Sequence, residues 1–183
     1  MNHMKLSKTL GNFQSPYLIS LIELIETQSK PTLIKWSTSY AEKQLLPIYE
    51  NAYPKDIRPR IALNNAIGWL EGRVKFIDAK QSNYDAHKAA TEAQGNVAAQ
   101  AAARAIAHAA LTIHVSAHCL GIVFYGTAAL AYAQASIDGK PQEFVNIAAE
   151  ECAKMEVALR SISISNEPHP AKIDWKLWSY LIK

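Results

Sequence analysis

VAAQAAARAIAHAALTIHVSAHCLGIVFYGTAALAYAQ, residues 97–134, is dense in alanine and carries Arg104 as its sole Lys, Arg, Asp or Glu. Alanine is the strongest helix former, and its methyl group lets neighbouring backbones approach closely. The stretch therefore reads as the buried helical centre of an all-α protein. As one straight helix it would be roughly 55 Å long, against a diameter of ~40 Å for a compact chain of this size, so a break is expected. Ser116 is the candidate N-cap of the second half, with Val115 before it and Leu120 after it placed as a hydrophobic staple. Gly121 and Gly126 allow close helix approach, and His108, His114, His118 and Arg104 would be costly in lipid, so these helices are expected to pack against protein.

Working outward, Leu18, Leu21, Ile22 and Ile25 recur at helical spacing after Ser15 as N-cap and Pro16 at the first helical position. A second pattern, Leu33, Ile34, Trp36, Tyr40 and Leu45, follows Pro31 and is expected to end or kink at Pro47, leaving residues 49–56 as a connection. Asp56 can cap a third helix with Pro59 in its first turn, Ala62, Ala66, Trp69 and Leu70 facing inward, and Gly72 as the stop. Residues 78–94 suit a fourth, more polar helix.

Downstream, Pro141 opens a helix with Phe144, Ile147, Ala148, Cys152, Met155 and Leu159 on one stripe. Beyond Pro168 and Pro170, the spacing of Trp175, Trp178, Leu181 and Ile182 predicts a short closing helix. No alternating β-branched run occurs. The expected architecture is one all-α multi-helix bundle of about seven or eight helices around an Ala-rich central helix pair. It spans residues 1–183 as a single domain, with residues 1–14 as a loose N-terminus and 166–183 as a C-terminal segment docking on the bundle.

At 183 residues, 49% hydrophobic and 19% charged, the chain has ample material for one packed core and is too apolar for a disordered one. Its net charge of +3 is spread thinly, with no polycationic arm or groove, which argues against a nucleic-acid partner. Cys119 and Cys152 sit in apolar helical patterns and are expected as reduced, buried thiols. Residues 1–13 show no apolar run of the kind found in a secretory signal or membrane anchor, so the expected compartment is the cytoplasm.

No complete active site is legible. There is no phosphate-binding glycine loop, G-x-S-x-G elbow, C-x-x-C pair or H-E-x-x-H pair, so neither catalytic residues nor a cofactor are assigned. His114 and His118 stand four apart, the spacing at which two imidazoles on one helix can grip a metal, but no third ligand accompanies them, and structural histidines are the expectation. Arg104 must satisfy its permanent charge inside an apolar helix. The favoured reading is a strut paired with Glu23, Glu26 or Glu151; the alternative is an anion-binding residue beside His108, one turn on. Glu26, Lys30, Lys35 and Trp36 cluster around the first helix junction and are candidates for partner binding, since Trp among charges is a common anchor. Arg58 and Arg60 stand at a helix start, where the dipole disfavours positive charge and calls for a paired acid or an external anion.

The segments ETQSKPTLIKW (26–36), LPIYENAYPKDIRPR (46–60), WLEG (69–72), AAARAIAHAALTIHVSAH (101–118) and FYGTAALAYA (124–133) together resemble the immunity-protein-5-like family of bacterial proteins, over residues 20–160. The resemblance implies an all-helical domain that neutralises a toxin by binding it, without a catalytic residue set. Its implied partner is a cognate protein toxin. A small-molecule- or metal-binding protein built on Arg104, His108, His114 and His118 is the competing reading, and Ala-rich helices leave a homo-oligomer open.

Overall fold

The computed structural model describes residues 6–135 and 140–176, and every regular element among them is helical. A 3-10 turn at Pro16–Leu18 leads into α1 (Ile19–Glu26), followed by α2 (Lys30–Tyr40), α3 (Leu46–Ala52), α4 (Arg58–Leu70) and α5 (Phe76–Glu92). Then come α6 (Val97–Leu111), α7 (Thr127–Gln134) and α8 (Pro141–Arg160). The all-α reading holds.

The alanine run sits where its composition demands. α6 packs against α2, α3, α4, α5 and α7, and buries residues on all sides, from Ala99 and Ala101 through Ile106 and His108 to Ala110. A narrow stripe of Val97, Gln100, Arg104 and Leu111 stays partly exposed, and small side chains are what allow five neighbours to close on one axis. The break also falls as expected: α6 ends at Leu111, and the chain resumes as a 3-10 turn at Ser116–Cys119. Ser116, however, is no cap. Val115 occupies the cap position without a side-chain bond, and its carbonyl takes the His118 N–H directly (3.0 Å), because the tighter 3-10 turn satisfies that donor through the backbone. From Ser116 to Gln134 the helix is long and apolar enough to cross a membrane by length and composition, yet 89% of its window is buried inside the protein.

Pro47 does not end the second helix. Between α2 and α3 lies a π-helical turn, Ala41–Leu45, in which the Leu46 N–H bonds the Ala41 carbonyl five residues back. The widened turn takes up the proline ring, whose missing N–H and steric bulk would otherwise break an α-helix. The helix therefore continues to Ala52, and half of the expected connection is helical. At α4 the sequence reading is off by one residue: Ile57, not Asp56, occupies the cap position and makes no side-chain cap bond, although the Asp56 carboxylate accepts the Arg58 N–H (3.1 Å) from just outside; the helix ends at Leu70, and Gly72 follows at φ +75°, a conformation that glycine adopts without strain.

α8 lays its apolar stripe of Phe144, Ala148, Cys152, Met155 and Leu159 against α1, α2 and α7. Both cysteines are free and buried, and burial pushes the Cys152 thiol up to about 12, so neither is a ready nucleophile. Trp175 docks edge-on against Phe13 (5.4 Å) and donates its indole N–H to Glu26 (2.5 Å). Trp178, Leu181 and Ile182 of the expected closing helix lie outside the described residues.

Asn96 caps α6 by accepting the Ala99 N–H (2.9 Å). Asn96→Ala is expected to lower the unfolding free energy by about 1 kcal/mol, the usual loss of an N-cap oxygen, as measured by urea titration. A change below about 0.3 kcal/mol would mean that the cap does not hold the start of the central helix.

Candidate functional site

The surface between α2 and α8 is built from a closed floor upward. Trp36 is buried at 2% exposure, and its indole N–H donates to the Met155 carbonyl (3.0 Å), pinning α2 to α8. One turn on, the Tyr40 hydroxyl donates to the Glu151 carboxylate (3.2 Å). Glu151 is itself buried, and it also receives Lys154 Nζ (2.7 Å) and the Gln134 amide (3.2 Å). Burial and the adjoining Glu151 charge hold the Tyr40 phenol far above its usual range, so it stays a proton donor. The polar groups of the floor are thus spent on one another.

Above this floor opens a groove of about 690 Å³. Its apolar wall is Val157, Ile162 and Ile164, which are 69%, 42% and 49% exposed, unusually high for large aliphatic side chains. Its rim carries Lys35, Lys43 and Lys154. Lys154 is spoken for by Glu151, whereas Lys35 and Lys43 join no ion pair among the described residues. The wall is held in place by the buried Gln28, which accepts the Ile164 N–H through its side-chain oxygen (2.8 Å) and donates its amide to the Ile164 carbonyl (3.4 Å).

A second polar constellation lies at α5, α6 and the 116–126 segment. His108 Nδ1 and His118 Nδ1 are 3.0 Å apart, so one ring donates an N–H and the other accepts through a lone pair. His87 of α5 meets His108 edge-on (5.3 Å), and Tyr125 stacks on it (5.2 Å, 10°). Gly121 makes this possible, because a β-carbon there would stand 2.1 Å from the His108 β-carbon. Burial is the main cause that lowers the proton affinity of all three imidazoles, with neighbouring positive character as the second; His118 falls to about 4. Arg104, one turn before His108, is half-buried, and desolvation likewise lowers its proton affinity.

The candidates read from the sequence divide between these places. Lys35 and Trp36 belong to the groove, Trp36 as floor and not as an exposed anchor. Glu26 is taken by Trp175, and Lys30 donates to the His114 carbonyl (3.0 Å) and lies 6.0 Å from the centre of the Trp69 ring. Arg58 pairs with Asp56 (2.6 Å) and Glu92 (2.7 Å), and Arg60 with Glu50 (2.7 Å), so both find the acids that their helix start called for. The expected strut is not formed: among the described residues no carboxylate pairs with Arg104, since Glu151 serves Lys154 and Tyr40, and Glu26 serves Trp175. His114 and His118 part company at the break, His114 turning to Phe76 (5.8 Å) and His118 to His108.

His87, Lys43 and the aliphatic wall were missed. His87 carries a weak signal, standing four residues after Asn83, which is buried and bonds the Ala107 carbonyl. The wall has none, because Val157 is simply the off-stripe position of an amphipathic helix until the 161–164 segment folds back beside it.

No curated protein and no solved structure matches the chain. A sequence model of the family described as "Imm-5 like putative immunity protein" matches residues 23–158, which takes in α2, the histidine cluster and α8 as far as Ala158, while Ile162 and Ile164 of the groove wall lie beyond the match. The chain belongs to the Imm-5 like immunity-protein family.

Proposed function

We propose that this protein is a non-enzymatic cytoplasmic immunity factor, which neutralises a cognate bacterial toxin by seating an acidic, apolar-tipped segment of it in the α2/α8 groove. The observation that carries the reading is the groove itself: exposed Val157, Ile162 and Ile164 beside Lys35 and Lys43, whose charges no acid of the described chain answers. An apolar wall desolvates an anchor side chain, and the lysine rim steers and orients an acidic partner. Membership of the family supports a toxin as the class of partner, and the hydrogen-bonded floor of Trp36, Tyr40 and Glu151 supports a preorganised surface.

The test is co-expression with a toxin encoded by a neighbouring gene, where one is found, read as survival and as a purified complex. The pair Val157→Asp and Lys35→Glu, both at exposed positions, is expected to leave the circular dichroism spectrum unchanged and to weaken the complex by about 10- to 100-fold. Full affinity in this double variant would remove the groove from the reading. Continued killing with no complex formed by the unaltered protein would remove the immunity role.

A further inference from the structure

The α2/α8 groove is cationic at one end and aliphatic at the other. Its two sides run in opposite directions: Tyr40 meets Glu151, Trp36 meets Met155, and Gln28, just ahead of α2, meets Ile164, just beyond α8. Lys43 therefore stands at one end, Lys35 and Val157 near the middle, and Ile162 and Ile164 at the other end. From Gln44 back to Thr32, the residues of this side span roughly 18 Å at the helical rise. Lys43 and Ser39, one turn before it, both line the groove, and neither side chain makes a hydrogen bond or ion pair among the described residues. No acidic residue lines the groove; Glu151 lies buried beneath it, taken by Tyr40 and Lys154.

We propose that this groove binds a fatty acid of medium chain length, its carboxylate at Lys43 and Ser39 and its hydrocarbon chain laid past Val157 toward Ile162. An ammonium and a hydroxyl without partners are donors suited to a carboxylate, and charge-assisted bonds of this kind are the stronger ones. The tail covers Val157 and Ile162, which are 69% and 42% exposed, and removal of such aliphatic surface from water favours binding in proportion to the area covered. Trp36 and Tyr40 close the floor with their polar atoms already bonded to α8, so hydrocarbon passing over them displaces no hydrogen bond. A volume of about 690 Å³, apolar walls and a few placed donors are the usual make-up of a small-molecule site. The ligand goes beyond the immunity reading and does not depend on it; since a toxin segment would use the same groove, the two occupants compete.

Titration of the unaltered protein with sodium dodecanoate below its micelle concentration tests this, read by the methyl resonances of Val157 and Ile162 and the indole N–H of Trp36 in two-dimensional NMR. Saturable shifts at all three are expected. Decanoate, two methylenes shorter, binds about tenfold more weakly, and acetate gives no saturable shift. Dodecyltrimethylammonium, with the same tail and the opposite head charge, binds at least about tenfold more weakly than dodecanoate. Lys43→Glu and Ile162→Asp, both at exposed positions, each weaken dodecanoate by about tenfold with the circular dichroism spectrum unchanged. Absence of saturable shifts at Val157 and Ile162 in the unaltered protein overturns the proposal whether or not either variant folds. Equal affinity for the two head groups overturns it as well, since the groove would then be only a sticky apolar surface. Full affinity in Lys43→Glu does the same. No toxin enters the measurement, so failure here leaves the immunity reading untouched, and failure of that reading leaves this one standing.

Discussion

Gly121→Ala is expected to cost about 3 kcal/mol of unfolding free energy, at the upper end of what overpacking does, even though alanine suits a helix better than glycine by about 1 kcal/mol. The added β-carbon would meet the His108 β-carbon at 2.1 Å and its ring carbon Cγ at 2.8 Å, so two helix backbones must separate. No rotamer of His108 relieves a clash with its own β-carbon. Gly126→Ala supplies the contrast: its new atom would lie 3.2 Å from the Leu45 Cδ1 methyl, the end of a side chain that can turn aside, and a loss below about 1 kcal/mol is expected. Urea titrations of both variants check the difference. Replacing His108 by Gly in the Gly121→Ala background should recover about 1–3 kcal/mol relative to the sum of the single losses, as for residues in direct contact. Equal effects at the two glycines would mean that the 116–126 segment is not pressed against α6 as described.

Acid should unfold this protein through its histidines before its carboxylates. An imidazole whose folded-state proton affinity is depressed stays neutral in the folded protein, while the unfolded chain takes up a proton at its ordinary value near 6.5. The unfolded state then binds more protons, so stability is complete above about pH 6.5 and declines as pH falls toward the folded value. For His118, depressed to about 4 by burial and then by His87 and His114, the loss between neutral pH and pH 4 is about 3 kcal/mol. His108, depressed further by burial, His118, His87 and Arg104, and His87, depressed by burial and Arg104, add to it in the same direction. Asp56, held at about 2 chiefly by its bonds to Arg58, contributes only at still lower pH. Unfolding free energy measured by urea at half-unit steps from pH 7.5 to pH 4 should therefore stay nearly level above about pH 6.5 and fall steadily below it, and His118→Gln should flatten the slope. A level profile down to pH 4.5 would sink this account of the cluster.

Most of the helices were legible because their signals are local. Pro16, Asp56, Pro59, Gly72 and Pro141 act within one turn of where they stand, and the stripe of α8 needs only its own period. Pro47 misled because the π turn of Ala41–Leu45, just ahead of it, absorbs a defect that an α-helix cannot. The candidate site was half legible. Lys35, Arg104 and His108 were named from their surroundings in the chain, but the acids that would have claimed Arg104 were assigned to it by type, and tertiary packing gave them to Lys154, Tyr40 and Trp175.

The alanine run of residues 97–134 determined the fold class by itself, because small, uncharged, helix-favouring side chains leave no other place for that segment than the crowded centre of a helical bundle. What the chain could not settle alone is who meets whom across that centre. Whether Arg104 finds an acid or an imidazole, and whether Val157 looks into solvent or into a groove, depends on the rotation of each helix about its axis and on where the 161–164 segment returns. Those are set by the closest approaches, His108 on Gly121 and Trp36 on Met155, and such contacts join residues far apart in sequence.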